Sequence, residues 1–207
     1  MKETLIIDYG SGNIRSVFNA LNEVSHDKNI KIKVTSSANH LKHASHIILP
    51  GVGSFDTAMK NLEHFELKEL LDRKALIEKV PFLGICLGMQ ILTNSSEEGN
   101  LSGLGWIKGS ASKFKSNNDI KVPHMGWNYI QPSSNSRLCK NLEDNSRFYF
   151  VHSYYVQVRE EEHSSMKTTY SLEFDSGIEK DNIFGVQFHP EKSHKFGMQI
   201  LKNFAEL

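Results

Sequence analysis

The chain has 207 residues, its Lys+Arg count of 24 equals its Asp+Glu count of 24, and 39% of it is hydrophobic. That describes a folded chain able to bury a core without disulfides or metal, and balanced charge argues against a basic nucleic-acid or anionic-membrane surface. With two cysteines in no CxxC pair, no leader-like apolar start and no run of transmembrane length, a cytoplasmic protein with free thiols is expected.

In chain order, the first half alternates two periodicities. ETLIIDYG is a short apolar run closed by glycine and predicts a buried strand. In SGNIRSVFNALNEV, the residues Ile14, Val17, Phe18, Leu21 and Val24 share one helical face, with Ser11 or Asn13 placed to cap it. KNIKIKVTSS alternates Ile30, Ile32 and Val34 at strand period, and HASHIILPGVG is an apolar strand ending in a glycine-rich turn. FDTAMKNLEHFELKELLDRKALIEK carries helical spacing through Leu67, Leu70, Leu71 and Leu76. VPFLGIC returns to strand, and LGMQILTNSSEE begins as helix. Strands alternating with helices predict an α/β fold, a mostly parallel sheet covered on both faces.

From about Gly99 the pattern changes to short apolar pieces among Gly, Ser and Asn. This part, including the β-rich run RFYFVHSYYVQV, predicts mostly antiparallel strands. NIFGVQF reads as one more buried strand. KFGMQILKNFAEL reads as a closing amphipathic helix with Phe196, Ile200, Leu201 and Phe204 facing inward. With no repeat, low-complexity tract or linker, residues 1–207 are read as a single domain.

Three short motifs carry the chemistry. GICLG places Cys86 between glycines at a predicted strand-to-helix boundary, the form of a nucleophile elbow. Such a turn exposes the sulfur beside a helix N-terminus and aims the Leu87 N–H at a developing oxyanion. Taken alone, the pattern also fits a small buried core cysteine. GVQFHPEKS supplies His189 as a base and Glu191 to orient it; strand alternation would put both on one side. A surface His beside a surface Glu fits those two residues as well. LPGVGSF ends a different predicted strand, and its glycines let main-chain N–H groups approach a ligand. All three motifs fall at strand carboxyl ends, where open α/β sheets bind ligands.

PGVGSF, GICLGMQ and HPEKS resemble the class I, triad-type glutamine amidotransferases. The resemblance implies a flavodoxin-like fold and hydrolysis of glutamine to glutamate and ammonia. Cys86 would attack the side-chain amide, His189 would protonate the departing ammonia and Glu191 would orient His189. It also implies Gly53 and Leu87 at the oxyanion hole and Gln90 against the substrate. The stretches IDYGSGNIRSV, SEEG, KVPHMGWN, RFYFVHSYY and GVQFHPEKS, from Ile7 to Phe204, resemble the glutaminase subunit of imidazole glycerol phosphate synthase. That resemblance implies a heterodimer with a (β/α)8 cyclase in histidine biosynthesis, without metal or cofactor. Ammonia would pass through the barrel to make imidazole glycerol phosphate and an aminoimidazole carboxamide ribotide. It would set Asn13, Trp127, Tyr149 and Lys192 towards the partner, and Glu98, His152, Ser153 and Tyr154 near the glutamine. Ser11 and the segment EEEHSSMKTTY depart from the common pattern of that family. The alternative readings are a paralogue supplying a surface-polysaccharide sugar amidotransferase, a general cysteine hydrolase and a non-catalytic binding protein.

Other signals are weaker. GSGN lacks the last glycine of GxGxxG, where Arg15 stands. His40, His43 and His46 read as a surface histidine run rather than a metal site. Asn94 begins a sequon that matters only in a secreted chain. Cys139 has no matched base and is read as non-catalytic.

Overall fold

The computed structural model describes residues 2–26, 30–116 and 120–207. Lys28 and Asn29, at the start of the second predicted strand, lie outside the described residues. The first half runs β1 (Lys2–Ile7), α1 (Ile14–Ser25), β2 (Ile30–Thr35), α2 (Ala38–Leu41), β3 (His46–Gly51), α3 (Phe55–His64), α4 (Lys68–Asp72), β4 (Phe82–Cys86) and the single turn α5 (Leu87–Gln90). The second half runs β5 (Ser95–Ser96), β6 (Gly109–Lys113), β7 (His124–Tyr129), β8 (Gln131–Pro132), β9 (Arg147–His152), β10 (Tyr154–Val158), β11 (Ser164–Tyr170), β12 (Leu172–Lys180), β13 (Ile183–Val186) and α6 (His194–Ala205).

The sheet order β2-β1-β3-β4-β13 is parallel throughout, the 2-1-3-4-5 order of flavodoxin-like folds with β13 as the fifth strand. Beyond β13 the sheet continues antiparallel through β12 and β10 to β6, while β7 and β9 pair separately. Strand alternation divides the core in two. Leu5, Ile7, Ile47 and Leu49 face α3 and α4 through Phe55, Met59, Leu62 and Leu71. Ile6, Ile48, Leu83 and Ile85 face α1 and α6 through Val17, Leu21, Ile200, Leu201 and Phe204. Phe196 is half-buried against the same layer.

Three local expectations need correction. Asn13 is the residue before α1, but its side chain makes no capping bond; its carbonyl accepts the Val17 N–H. The long helical stretch after Phe55 is broken at Glu66, which takes φ 55°. It then closes in a π turn, Arg73–Ile77, whose wider winding rotates Leu76 to 43% exposure. The histidine run is not all on the surface: His46 opens β3 at 2% exposure with both ring nitrogens unpartnered. Burial, aided by Lys2, holds that imidazole down to about 4.

One close approach positions everything that follows. α5 lies directly on β3 and β4, and a Cβ at Gly84 would meet the Gly88 carbonyl at 2.5 Å. A Cβ at Gly88 would overlap the Leu49 carbonyl. Backbone cannot yield there as a flexible side chain could. Gly88→Ala is therefore expected to destabilise the fold by about 3 kcal/mol through overpacking, measured by urea denaturation, and to reduce the reactivity of Cys86 in the protein that remains folded.

Candidate active site

β3, β4 and β13 are parallel neighbours, so their carboxyl ends share one edge. Cys86 ends β4 and immediately precedes α5, with φ 56° and ψ −110°. That backbone is strained for a residue with a side chain, by about 1–3 kcal/mol. It is the elbow conformation, and it turns the sulfur out of the strand at the first turn of a helix. The Leu87 and Gly88 N–H groups open that turn, where helical N–H groups lack intrahelical partners.

His189 lies three residues beyond β13. Its Nδ1 is 2.8 Å from Glu191 Oε1, with the two side chains 3% and 1% exposed. The pair does not meet by strand alternation. Pro190 starts a tight turn, Pro190–Lys192, which folds Glu191 back under the ring. The His189 N–H donates to the Tyr149 carbonyl at 2.9 Å, and the Ser193 hydroxyl donates to the His189 carbonyl at 2.6 Å. His189 Nε2 has no partner of ordinary hydrogen-bond geometry and is left for Cys86. Burial alone would lower this imidazole, but Cys86 and Glu191 beside it outweigh burial and push it up to about 10.

Cys86, His189, Gly53, Leu87, Gln90, Glu98, His152, Ser153, Tyr154 and Lys192 all line one cavity of about 310 Å³. Gly53 follows β3 with φ 105°. Gln90 gives its amide nitrogen to the Tyr154 carbonyl and to Gln187 Oε1, each at 3.1 Å, so only its carbonyl oxygen is available to a ligand. Glu98 accepts the Phe55 N–H at 2.8 Å through Oε2, which ties its loop to the start of α3. Asp56 reinforces that tie by accepting from Asn100 and Leu101. Among the described residues, no group of three metal-ligating side chains is assembled.

The sequence reading missed two residues. Gln187 is fully buried and donates to Cys86 Sγ at 3.6 Å. A polar residue inside the apolar run NIFGVQF was the available signal, because buried polar side chains need partners. His124, on β7, meets His152 ring to ring, Nδ1 to Nε2 at 2.9 Å. Burial holds His124 down to about 4, and burial with its histidine neighbours holds His152 down to about 3. Cys139 is away from this group, and burial pushes its thiol up to about 11.

Of the residues expected to face a partner, Lys192 lines the cavity and Asn13, Trp127 and Tyr149 do not. Trp127 on β7 is 42% exposed and pairs across the ladder with half-buried Tyr149 on β9. Met125 and Tyr129 flank it, also exposed. His194 stacks on Trp127, and Lys192 Nζ lies 5.9 Å from the centre of the Tyr149 ring. Asn13 is half-buried at the start of α1, which packs on the Pro190–Lys192 turn.

These imidazoles set opposite pH limits. An unperturbed histidine titrates near 6.5, whereas His189 keeps its proton to about 10 in the fold. Its contribution to stability is therefore complete below about 6.5 and is lost as pH rises through about 10. His124 and His152 resist protonation, so they destabilise the fold as pH falls from 6.5 towards 4 and 3. Denaturation across pH should show both limbs, and Glu191→Gln should shorten the alkaline one.

A family model for glutamine amidotransferase class-I matches residues 5–207. The chain is 53% identical over 97% of its length to imidazole glycerol phosphate synthase subunit HisH 2 of Methanococcus maripaludis, covering 98% of that protein. It is 49% identical to subunit HisH of Methanocaldococcus jannaschii, with 98% of each chain covered. The fold is similar to that of PurLQS from Thermotoga maritima, with a TM-score of 0.74 at 17% identity, covering 99% of this chain and 98% of that one. The chain belongs to the class I glutamine amidotransferases and, within them, to the family of the imidazole glycerol phosphate synthase subunit HisH.

Proposed function

We propose that this chain is the glutaminase subunit of an imidazole glycerol phosphate synthase: it hydrolyses L-glutamine and delivers ammonia to a (β/α)8 cyclase subunit in histidine biosynthesis. The observation that carries the reading is the order Cys86, His189, Glu191 at the edge of a cavity that also contains Gln90 and Glu98. A charged imidazolium beside the sulfur fits a thiolate–imidazolium pair. The thiolate attacks the side-chain amide carbon, and the Leu87 N–H with that of Gly53 receives the oxyanion. His189 gives its proton to the leaving ammonia, and a thioester remains. Acylation removes the sulfur's negative charge, which was one of the influences holding the proton on His189. The neutral ring then accepts a proton from water, water's oxygen bonds to the acyl carbon, and the carbon–sulfur electron pair returns to Cys86.

Glu98 and the Gln90 carbonyl oxygen suit the substrate ammonium, while Ser153 and Tyr154 line the side open to its α-carboxylate. A general cysteine hydrolase has no need of that polar end. The exposed Met125–Trp127–Tyr129 strip, with Tyr149 beside it, has the aromatic and methionine make-up of an interface core, and Lys192 lies at its border. Asn13 completes the proposed contact from α1.

Ammonia release from glutamine should be low in the isolated chain and rise with the cyclase subunit and its ligand. Cys86→Ala should lower it by at least about 10³-fold, and turnover surviving that substitution would overturn the assignment. Stimulation by a sugar amidotransferase instead of the cyclase would replace histidine biosynthesis with polysaccharide modification. Lys192→Ala should reduce stimulation by the partner more than basal turnover, checked by steady-state kinetics with and without the cyclase.

A further inference from the structure

The hydrogen bonds around Cys86 form a chain whose direction is set at one atom. The Tyr154 carbonyl can only accept, and it accepts from Gln90 Nε2 at 3.1 Å and from His152 Nδ1 at 2.8 Å. On one side this makes His152 Nε2 an acceptor, so His124 Nδ1 must donate to it. His124 Nε2 then accepts from the Asn128 amide, whose nitrogen also serves the Thr169 carbonyl. On the other side, the Gln90 nitrogen also reaches Gln187 at 3.1 Å, and the atom it meets must be an acceptor, Oε1. The Gln187 nitrogen is therefore the atom left facing Cys86 Sγ, at 3.6 Å. The Gln187 main-chain N–H bonds Ser176 across the sheet, and the residue has no exposed surface, so water cannot take the place of the sulfur.

We propose that Gln187 is a further catalytic residue, which donates its side-chain amide hydrogen to Cys86 Sγ and stabilises the sulfur as a thiolate. It rests on the glutaminase reading and adds a fourth group to the triad. His189 is a positive charge that leaves as a proton during the reaction. The Gln187 N–H is a dipole that stays. When water displaces the acyl group, the electron pair of the broken carbon–sulfur bond returns to Sγ, and Gln187 receives that charge without exchanging a proton. The titratable groups around the sulfur are His189 with Glu191 behind it, Tyr9, and His152, Glu98 and Lys192, which line the same cavity. Tyr9 also keeps its hydrogen, but its hydroxyl has no hydrogen-bond partner, whereas the Gln187 amide is a neutral donor within bonding distance of Sγ.

The test is the pH profile of Cys86 alkylation by iodoacetamide, followed on the Cys86 peptide by mass spectrometry. Gln187→Met removes the donor with little change of shape; Gln187→Glu keeps an acceptor for Gln90 but puts a carboxylate beside the sulfur. The first should move the midpoint of that profile up by at least about one pH unit, a tenfold change in the thiol equilibrium and the size of a charge-assisted hydrogen bond, and the second further. Midpoints within about 0.3 pH unit of the unaltered chain (a twofold change in the equilibrium), in variants with unchanged circular dichroism, would overturn the proposal. A further measurement needs no variant at Gln187. Its side-chain amide proton resonance should move on Cys86→Ala, and an unmoved resonance would overturn the proposal. Alkylation requires no glutamine, so a chain lacking glutaminase turnover would refute the proposed function and leave this result standing.

Discussion

The contact on which the site depends is Gly88 against the Leu49 carbonyl. It lets α5 sit on β3 and β4 with no side chain between. With the helix so close, β4 has no residues in which to turn gradually, and the reversal falls on Cys86 at φ 56°. The strain and the exposure of the sulfur have the same origin. The surrounding core fixes the geometry: Ile85 and Leu83 are locked on one face, Leu49 and Met89 on the other. A sulfur held this way is aimed by packing, so it needs no hydrogen bond for its direction and can use hydrogen bonds for its charge.

Electrostatics then divides the imidazoles around one cavity. All are mostly buried, and burial by itself opposes the charged form in each. Only His189 has a carboxylate against its ring, Glu191, with the Cys86 sulfur on its other side, and only it rises. His152 and His124 face each other, and His189 also opposes a charge on His152, so they stay uncharged and act as fixed donors and acceptors. Environments that push like groups apart are how one site assigns an acid and a scaffold. Glu191 completes the division: its side chain is buried, and its Oε1 orients the ring it charges.

Much of this was legible in the sequence, for reasons that differ by element. The buried strands around ETLII, HIILPG and PFLGIC are apolar because both faces are covered, and GxCxG marks a turn that tolerates no Cβ. His189 and Glu191 were found as a pair, yet by the wrong geometry, because period two describes strands and these residues lie in a turn. Leu76 misled because a π turn shifts the helical phase by a residue that no local propensity announces. Gln187 and His124 were overlooked because their meaning is their partners, and Cys86 and His152 are distant in sequence. His46 looked exposed in a polar stretch, but it is the first residue of a strand that is buried along its whole length.

The run RFYFVHSYYVQV shows what a sequence pattern conceals most thoroughly. It is an unbroken β-rich run in the sequence, and the fold divides it at Ser153, with β9 pairing β7 and β10 joining the main sheet. The outward side of the first piece carries Tyr149 beside Trp127, on the face with the exposed aromatic strip. The inward side carries His152, and the next residues, Ser153 and Tyr154, line the cavity. The same Tyr149 carbonyl that sits behind this face holds the His189 N–H. The backbone of one short segment thus joins the aromatic face, the base and the carbonyl that sets the direction of the hydrogen bonds reaching Cys86 through Gln90 and Gln187. A partner seated on β7 and β9 would press on the same strand that carries the chemistry, with Ser153 as the single residue between the two sheets.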